Sequence, residues 1–168
     1  MPDRDPLDPR RAARYAAIQA LYEIEMTNKA AVDVIAEFER YRLDDLFVRE
    51  ETGGQSRTVD RELFHDLVLG ASARQGELDA ALAAQLAAGW TLGRCGYTLR
   101  AMLRAGGFEL AARPQTSVAT IIDEYVELAR GFFEGNEPGF VHAVLDHAAP
   151  RLRRPPTSLA DLVEPSGA

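Results

Sequence analysis

Cysteine is nearly missing from this chain. Cys95 is the only one among 168 residues, so no intrachain disulfide can form, and the protein has to fold on buried apolar surface alone. A reduced, cytoplasmic setting is the natural expectation. Lysine is just as scarce, since Lys29 is the sole example and every other basic residue is arginine. Arginine offers a planar fork for phosphates and a flat face for bases. No stretch approaches the roughly eighteen consecutive apolar residues of a membrane span. The opening MPDRDPLDP is acidic and proline-rich where a secretory leader would be apolar. There is no Walker or Rossmann glycine signature and no Cys/His spacing for zinc. An overall basic balance is also lacking. With 26 acidic against 19 basic residues the net charge is -7, which excludes a protein that coats nucleic acid over its whole surface, and any such contact has to be local.

What is present is helical periodicity. Arg10 to Met26, RRAARYAAIQALYEIEM, places Ile18, Leu21 and Tyr22 at spacings of three and four, while Arg10, Arg11 and Arg14 crowd the first turns. Cations at the positive end of a helix dipole are locally unfavourable, by roughly 0.3–1 kcal/mol each. An anion site, most simply phosphate, is a reason to place them there. Met1–Pro9 reads as a flexible arm. A second helix is predicted from Ala31 to about Arg42 on Val32, Ile35, Phe38 and Tyr41. Leu43 to Val59, with Gly53-Gly54, reads as a loop.

Thr58 or Asp60 is a candidate N-cap for the next segment, where Leu63, Leu67, Leu78, Leu82 and Leu86 predict one long helix or two abutting near Gly76, the expected central element. Gly89-Trp90 interrupts it. A helix from Tyr97 to about Arg113 follows, and Gly106-Gly107 on its apolar side predicts close approach of another helix, because each glycine costs about 1 kcal/mol in a helix interior. Ser117 caps a further helix through Phe132, and Pro138 opens the last one, with Phe140, Val141, Val144, Leu145, Ala148 and Leu152 on one face. From Arg153 onward, RRPPTSLADLVEPSGA reads as a disordered tail. Nothing alternates with period two, so the fold class is all-α.

Candidates for chemistry are few. Glu62-x-x-His65 resembles half of a bundle di-metal site, with Glu124 or Glu127 as further ligands, but the second half is missing. Asp123, Glu124 and Glu127 lie in the opening turns of a helix, where carboxylates are ordinarily stabilising. Neither metal nor cofactor is expected, and no enzyme activity.

Taken together, RRAARYAAIQALYE, DLVLGASARQGELDAAL, LRAMLRAGGFEL and IIDEYVELARGFFEGNEPGFVHAVLDHAA resemble the NusB family of bacterial transcription antitermination factors, from about Arg10 to Arg154. The resemblance implies two packed three-helix subdomains, here about 10–88 and 89–153, followed by a tail at 154–168. It also implies binding of boxA, a single-stranded RNA element of ribosomal RNA leaders, jointly with the small-subunit ribosomal protein NusE in the antitermination complex on RNA polymerase. Carried over by position, Arg10, Arg11 and Arg14 would neutralise phosphates, Phe140 would stack on a base beside Asn136, and Tyr22 would face NusE. Leu99 stands where the family commonly has an acid, and Asn136, Gly139 and His142 also depart from its pattern. The competing expectation is a helical protein-interaction adaptor of the same fold that does not bind RNA.

Overall fold

A computed structural model describes residues 8–44 and 59–153. The expected loop around Gly53-Gly54, the tail 154–168 and most of the expected arm lie outside the described residues. The arm's last two residues belong to a helix start instead. Asp8 Oδ1 accepts from the Arg10 amide at 2.8 Å and Pro9 takes the first position of α1 (Pro9–Thr27), where its missing N–H costs nothing.

Helix α1 ends at Asn28, which adopts a left-handed conformation with φ 55°. Helix α2 (Ala31–Glu37) runs on into a π-helical turn at Phe38–Arg42, matching the predicted extent. Asp60 caps α3 (Arg61–Ala73), accepting from the Leu63 amide at 3.0 Å. Helix α4 (Gln75–Ala83) follows at once. The junction between them is Arg74, two residues before Gly76, and Arg74 closes on Glu77 with paired bonds of 3.0 and 2.8 Å. A 3₁₀ turn at Leu92–Cys95 leads into α5 (Tyr97–Ala112). Ser117 caps α6 (Val118–Phe132), and α7 (Glu137–Leu152) starts with Pro138 in its first turn. No strand occurs among the described residues.

The central helix is α5, which corrects the expectation that the Leu63–Leu86 repeat plays that part. Every residue from Leu99 to Leu110 is buried, and α5 packs on α1, α3, α4, α6 and α7. A helix buried all round is a core element. Its three charged residues, Arg100, Arg104 and Glu109, are buried with it. Burial of that kind is tolerable only when each charge has a partner.

The glycines explain how so many helices fit around one. A Cβ on Gly106 would lie 2.9 Å from Leu145 Cδ1 and 3.3 Å from the Tyr125 ring, so α6 and α7 can close on α5 only because that side chain is missing. On α3, a Cβ on Gly70 would fall 2.0 Å from the Phe108 ring. Gly107 differs, its added Cβ meeting nothing nearer than 3.6 Å. The two adjacent glycines therefore respond oppositely to alanine. Gly106→Ala should cost about 1–3 kcal/mol by overpacking, whereas Gly107→Ala should be neutral or stabilise by up to about 1 kcal/mol through helix propensity. Denaturant titration of the two variants checks this, and equal destabilisation would show that the close approach is not confined to Gly106.

At the C-terminal edge, Arg153 is not the start of a loose tail. Its guanidinium donates to the carbonyls of Leu110, Arg113 and Thr116 at 2.8, 2.9 and 2.6 Å, covering acceptors left open where α5 ends.

Candidate nucleic-acid interface

The three arginines of α1 lie within reach of one helix face at spacings of three and four, yet their height along the helix and their partners give each a different environment. Arg10 is exposed. Arg11, one residue on, grips Glu124 of α6 with bonds of 3.0 and 3.3 Å, both side chains 15% exposed. Arg14, a turn further, points into the core. Its Nε and Nη2 donate to the two carboxylate oxygens of Glu109 at 2.8 and 2.7 Å, with side-chain exposure of 5% and 0%. The Tyr125 hydroxyl donates to the same carboxylate at 2.7 Å.

Burial alone would weaken the charge on Arg14, but the hydrogen bond and charge of Glu109 outweigh it and raise the Arg14 pKa further. Burial, reinforced by the Glu109 charge, pushes the Tyr125 phenol well above its ordinary value. Arg14 is therefore a permanently charged strut inside the protein. This corrects the expectation that it contacts phosphate, since its fork is already filled by a carboxylate.

At the far end of α1, Glu25 receives Arg100 Nε at 2.7 Å and Arg104 Nη1 at 3.3 Å, while Arg104 also holds Asp79 through two bonds of 2.8 Å. Arg14 with Glu109 and Glu25 with Arg100 and Arg104 fix α1 antiparallel to α5 at both ends. The apolar stripe of α1 packs between these two clamps, and the opposite stripe is left at the surface.

Tyr22 lies on that outer stripe, 38% exposed, with its ring edge-on to Tyr97 at 5.7 Å. Ile18, Gln19, Tyr22, Met26, Thr98 and Phe132 line a shallow cavity of about 520 Å³ there. Tyr15, one turn after Arg11, stacks on Phe132 at 5.1 Å, and Phe132 neighbours Phe133 at 6.4 Å. Phe133, Asn136 and Phe140 then share a second cavity of about 510 Å³ with Trp90, Arg94 and Leu99. A continuous aromatic line thus links the arginine-bearing helix to the loop before α7. Glu124, which holds Arg11, is eight residues before Phe132, or about 12 Å along the helix axis at 1.5 Å per residue.

Trp90 and Arg94 were not among the expected site residues. Their sequence signal was the chain's single tryptophan set in a glycine-flanked break between helices, and the structure leaves that ring 46% exposed. Leu99, at the position where an acid is common, is buried beside the same cavity. Of the acidic candidates, Glu124 pairs with Arg11 and Glu127 with Arg130. Among the described residues no group of three or more His, Cys, Asp or Glu could hold a metal, and no helix is long and apolar enough to cross a membrane.

Residues 11–150 match the NusB family. A transcription antitermination protein NusB from Caulobacter vibrioides is 42% identical over 143 residues, covering 85% of this chain and 93% of that protein. The chain belongs to the NusB family. A second relative of the same name, from Sphingopyxis alaskensis, is 41% identical across 86% of this chain and 95% of its own. NusB from T. maritima has the same fold, with a TM-score of 0.69 at 24% identity over 88% of this chain and 94% of that one. A structure of the antitermination factors NusB and NusE in complex with double-stranded RNA superimposes with a TM-score of 0.65 at 21% identity, covering 84% and 96% of the two chains.

Within this chain, removing one member of the Arg14–Glu109 pair leaves a buried charge alone. Arg14→Ala should lose about 3–5 kcal/mol of stability, and the double replacement of Arg14 and Glu109 by methionine should recover most of it. Thermal and denaturant unfolding test this. An Arg14→Ala protein as stable as the parent would return Arg14 to the set of surface cations.

Proposed function

We propose that this protein is a transcription antitermination factor that binds boxA single-stranded RNA jointly with the ribosomal protein NusE, as part of the antitermination complex on RNA polymerase in the cytoplasm. The observation that carries the reading is the surface running from the start of α1 through the Tyr15–Phe132 stack to Asn136 and Phe140, in a chain whose family match covers residues 11–150. Two packed units, about 10–88 carrying α1 to α4 and 89–153 carrying α5 to α7, hold the two ends of that surface in register.

In this assignment Arg10 meets phosphate directly. Arg11 does so by exchanging part of its hold on Glu124 for a phosphate oxygen, a substitution of one anion for another. Asn136 and Phe140 meet a base, by hydrogen bond and by stacking. Arg14 supports the helix from within. With two phosphate-facing arginines in place of three, the single-strand salt slope is about -0.7 times two, or -1.4, so a fourfold rise in salt weakens binding roughly sevenfold. Titration of boxA RNA at several salt concentrations measures this slope. Arg10→Ala should flatten it by about 0.7 and weaken boxA and scrambled RNA alike, since a phosphate contact carries no sequence information. Phe140→Ala should lose about 1–3 kcal/mol with little change of slope.

Tyr22, with Met26 and Tyr97 exposed around it, is assigned to the NusE surface. Tyr22→Ala should weaken NusE binding and leave helicity and melting unchanged, as read by calorimetry and circular dichroism. A collapse of melting would make the residue structural. An adaptor without RNA function predicts no boxA preference with NusE present, so equal binding of boxA and scrambled RNA in that titration decides against the proposal.

A further inference from the structure

We infer that the cavity between the 3₁₀ turn and the start of α7 is a pocket for one unpaired guanine, with Glu137 and Arg94 reading its two edges. This deepens the RNA-binding assignment and rests on it. The cavity, about 510 Å³, is lined by Trp90, Phe133 and Phe140 on its aromatic sides and by Arg94, Asn136 and Glu137 on its polar side. Its volume lies in the range of small-molecule sites, and a largely apolar wall with a few polar groups is the usual composition of such a site.

The sign that something is missing is Glu137. Its Oε2 is buried and has no hydrogen-bond partner within the protein. A carboxylate oxygen can only accept, and leaving one enclosed against Gly135 and unmatched is costly, so a side-chain rotation that turns the Glu137 carboxylate to a donor in the cavity it lines is favoured. Gly135 makes room for this carboxylate, because a Cβ there would lie 2.8 Å from Oε2. The position in the first turn of α7 favours the ionised form through the helix dipole.

Guanine matches this set better than the other bases. Its N1–H and N2–H₂ donate side by side to one carboxylate, and its O6 and N7 form the acceptor pair that arginine binds in a bidentate manner. Arg94 is exposed at the rim and is steadied by donating Nη1 to the Gly89 carbonyl at 3.2 Å. Uracil and cytosine have no second edge that could use the arginine in that way. The aromatic walls supply stacking for a base held there.

The chain carries a single tryptophan, so intrinsic emission reports on this pocket alone. The experiment titrates the full chain, with NusE present, against fluorescently end-labelled boxA single-stranded RNA and against copies in which each guanosine in turn is inosine, which lacks the 2-amino group. Anisotropy follows binding and Trp90 emission follows pocket occupancy. One position should lose about tenfold in affinity on inosine replacement, Trp90 emission should change on binding, and Glu137→Gln should abolish the difference between guanosine and inosine at that position. Since the inosine change needs no protein variant, the result does not depend on Glu137→Gln folding well. If RNA binds but Trp90 emission is unchanged, or no inosine position is sensitive, or Glu137→Gln leaves the discrimination intact, the pocket is overturned while the RNA-binding assignment stands. If boxA RNA is not bound at all, both fall together.

Discussion

A buried arginine against a buried glutamate sets the geometry on which the rest of this structure depends. Arg14 and Glu109 meet in a paired hydrogen bond that Tyr125 completes, joining α1, α5 and α6 at one place in the core. Such a pair adds little net stability compared with apolar packing, but either charge alone would be severely destabilising. It therefore works as a register device. With Arg14 inside, Arg10 lies on the same side of the helix but a turn nearer its start, where it is exposed, and Arg11 is set beside Glu124. The matching clamp of Glu25 on Arg100 and Arg104 prevents α1 from rotating at its other end.

That constraint decides how a protein of net charge -7 can approach RNA. Among the described residues most cations are committed to carboxylates inside or along the bundle, and the field at a distance is unfavourable. Screening limits any attraction by the outward arginines to about 10 Å. Contact chemistry has to supply the affinity, through stacking on the aromatic line and hydrogen bonds at base edges. An acidic residue inside such a site, Glu137, is then no contradiction, since it addresses donors on a base and not phosphates.

The helices were legible in the sequence because each depends on local signals. Asp60 and Ser117 cap where capping residues were predicted, Pro138 opens α7, and Gly106 marks a close helix contact. The choice of central helix was not legible. A strongly periodic leucine repeat at 63–86 has one apolar face, whereas α5 hides its status by carrying Arg100, Arg104 and Glu109, each with an ion-pair partner on α1 that is 75 to 95 positions away. The same long-range pairing concealed the inward turn of Arg14, because composition sees three arginines and only tertiary structure separates them. Trp90 was visible as a break in periodicity, but its neighbours in the cavity come from α7, some 45 residues later.

The central claim is that one face, from the start of α1 across the Tyr15–Phe132 stack to the loop before α7, receives single-stranded RNA. Chemical-shift mapping of the isotopically labelled protein during titration with boxA RNA in the presence of NusE tests it most directly. The account predicts shifts at Arg10 and Arg11, at Trp90 and Arg94, and from Phe133 to Phe140, with the exposed sides of α3 and α4 unmoved. Shifts concentrated on α3 and α4, with residues 133–140 unaffected, would contradict it.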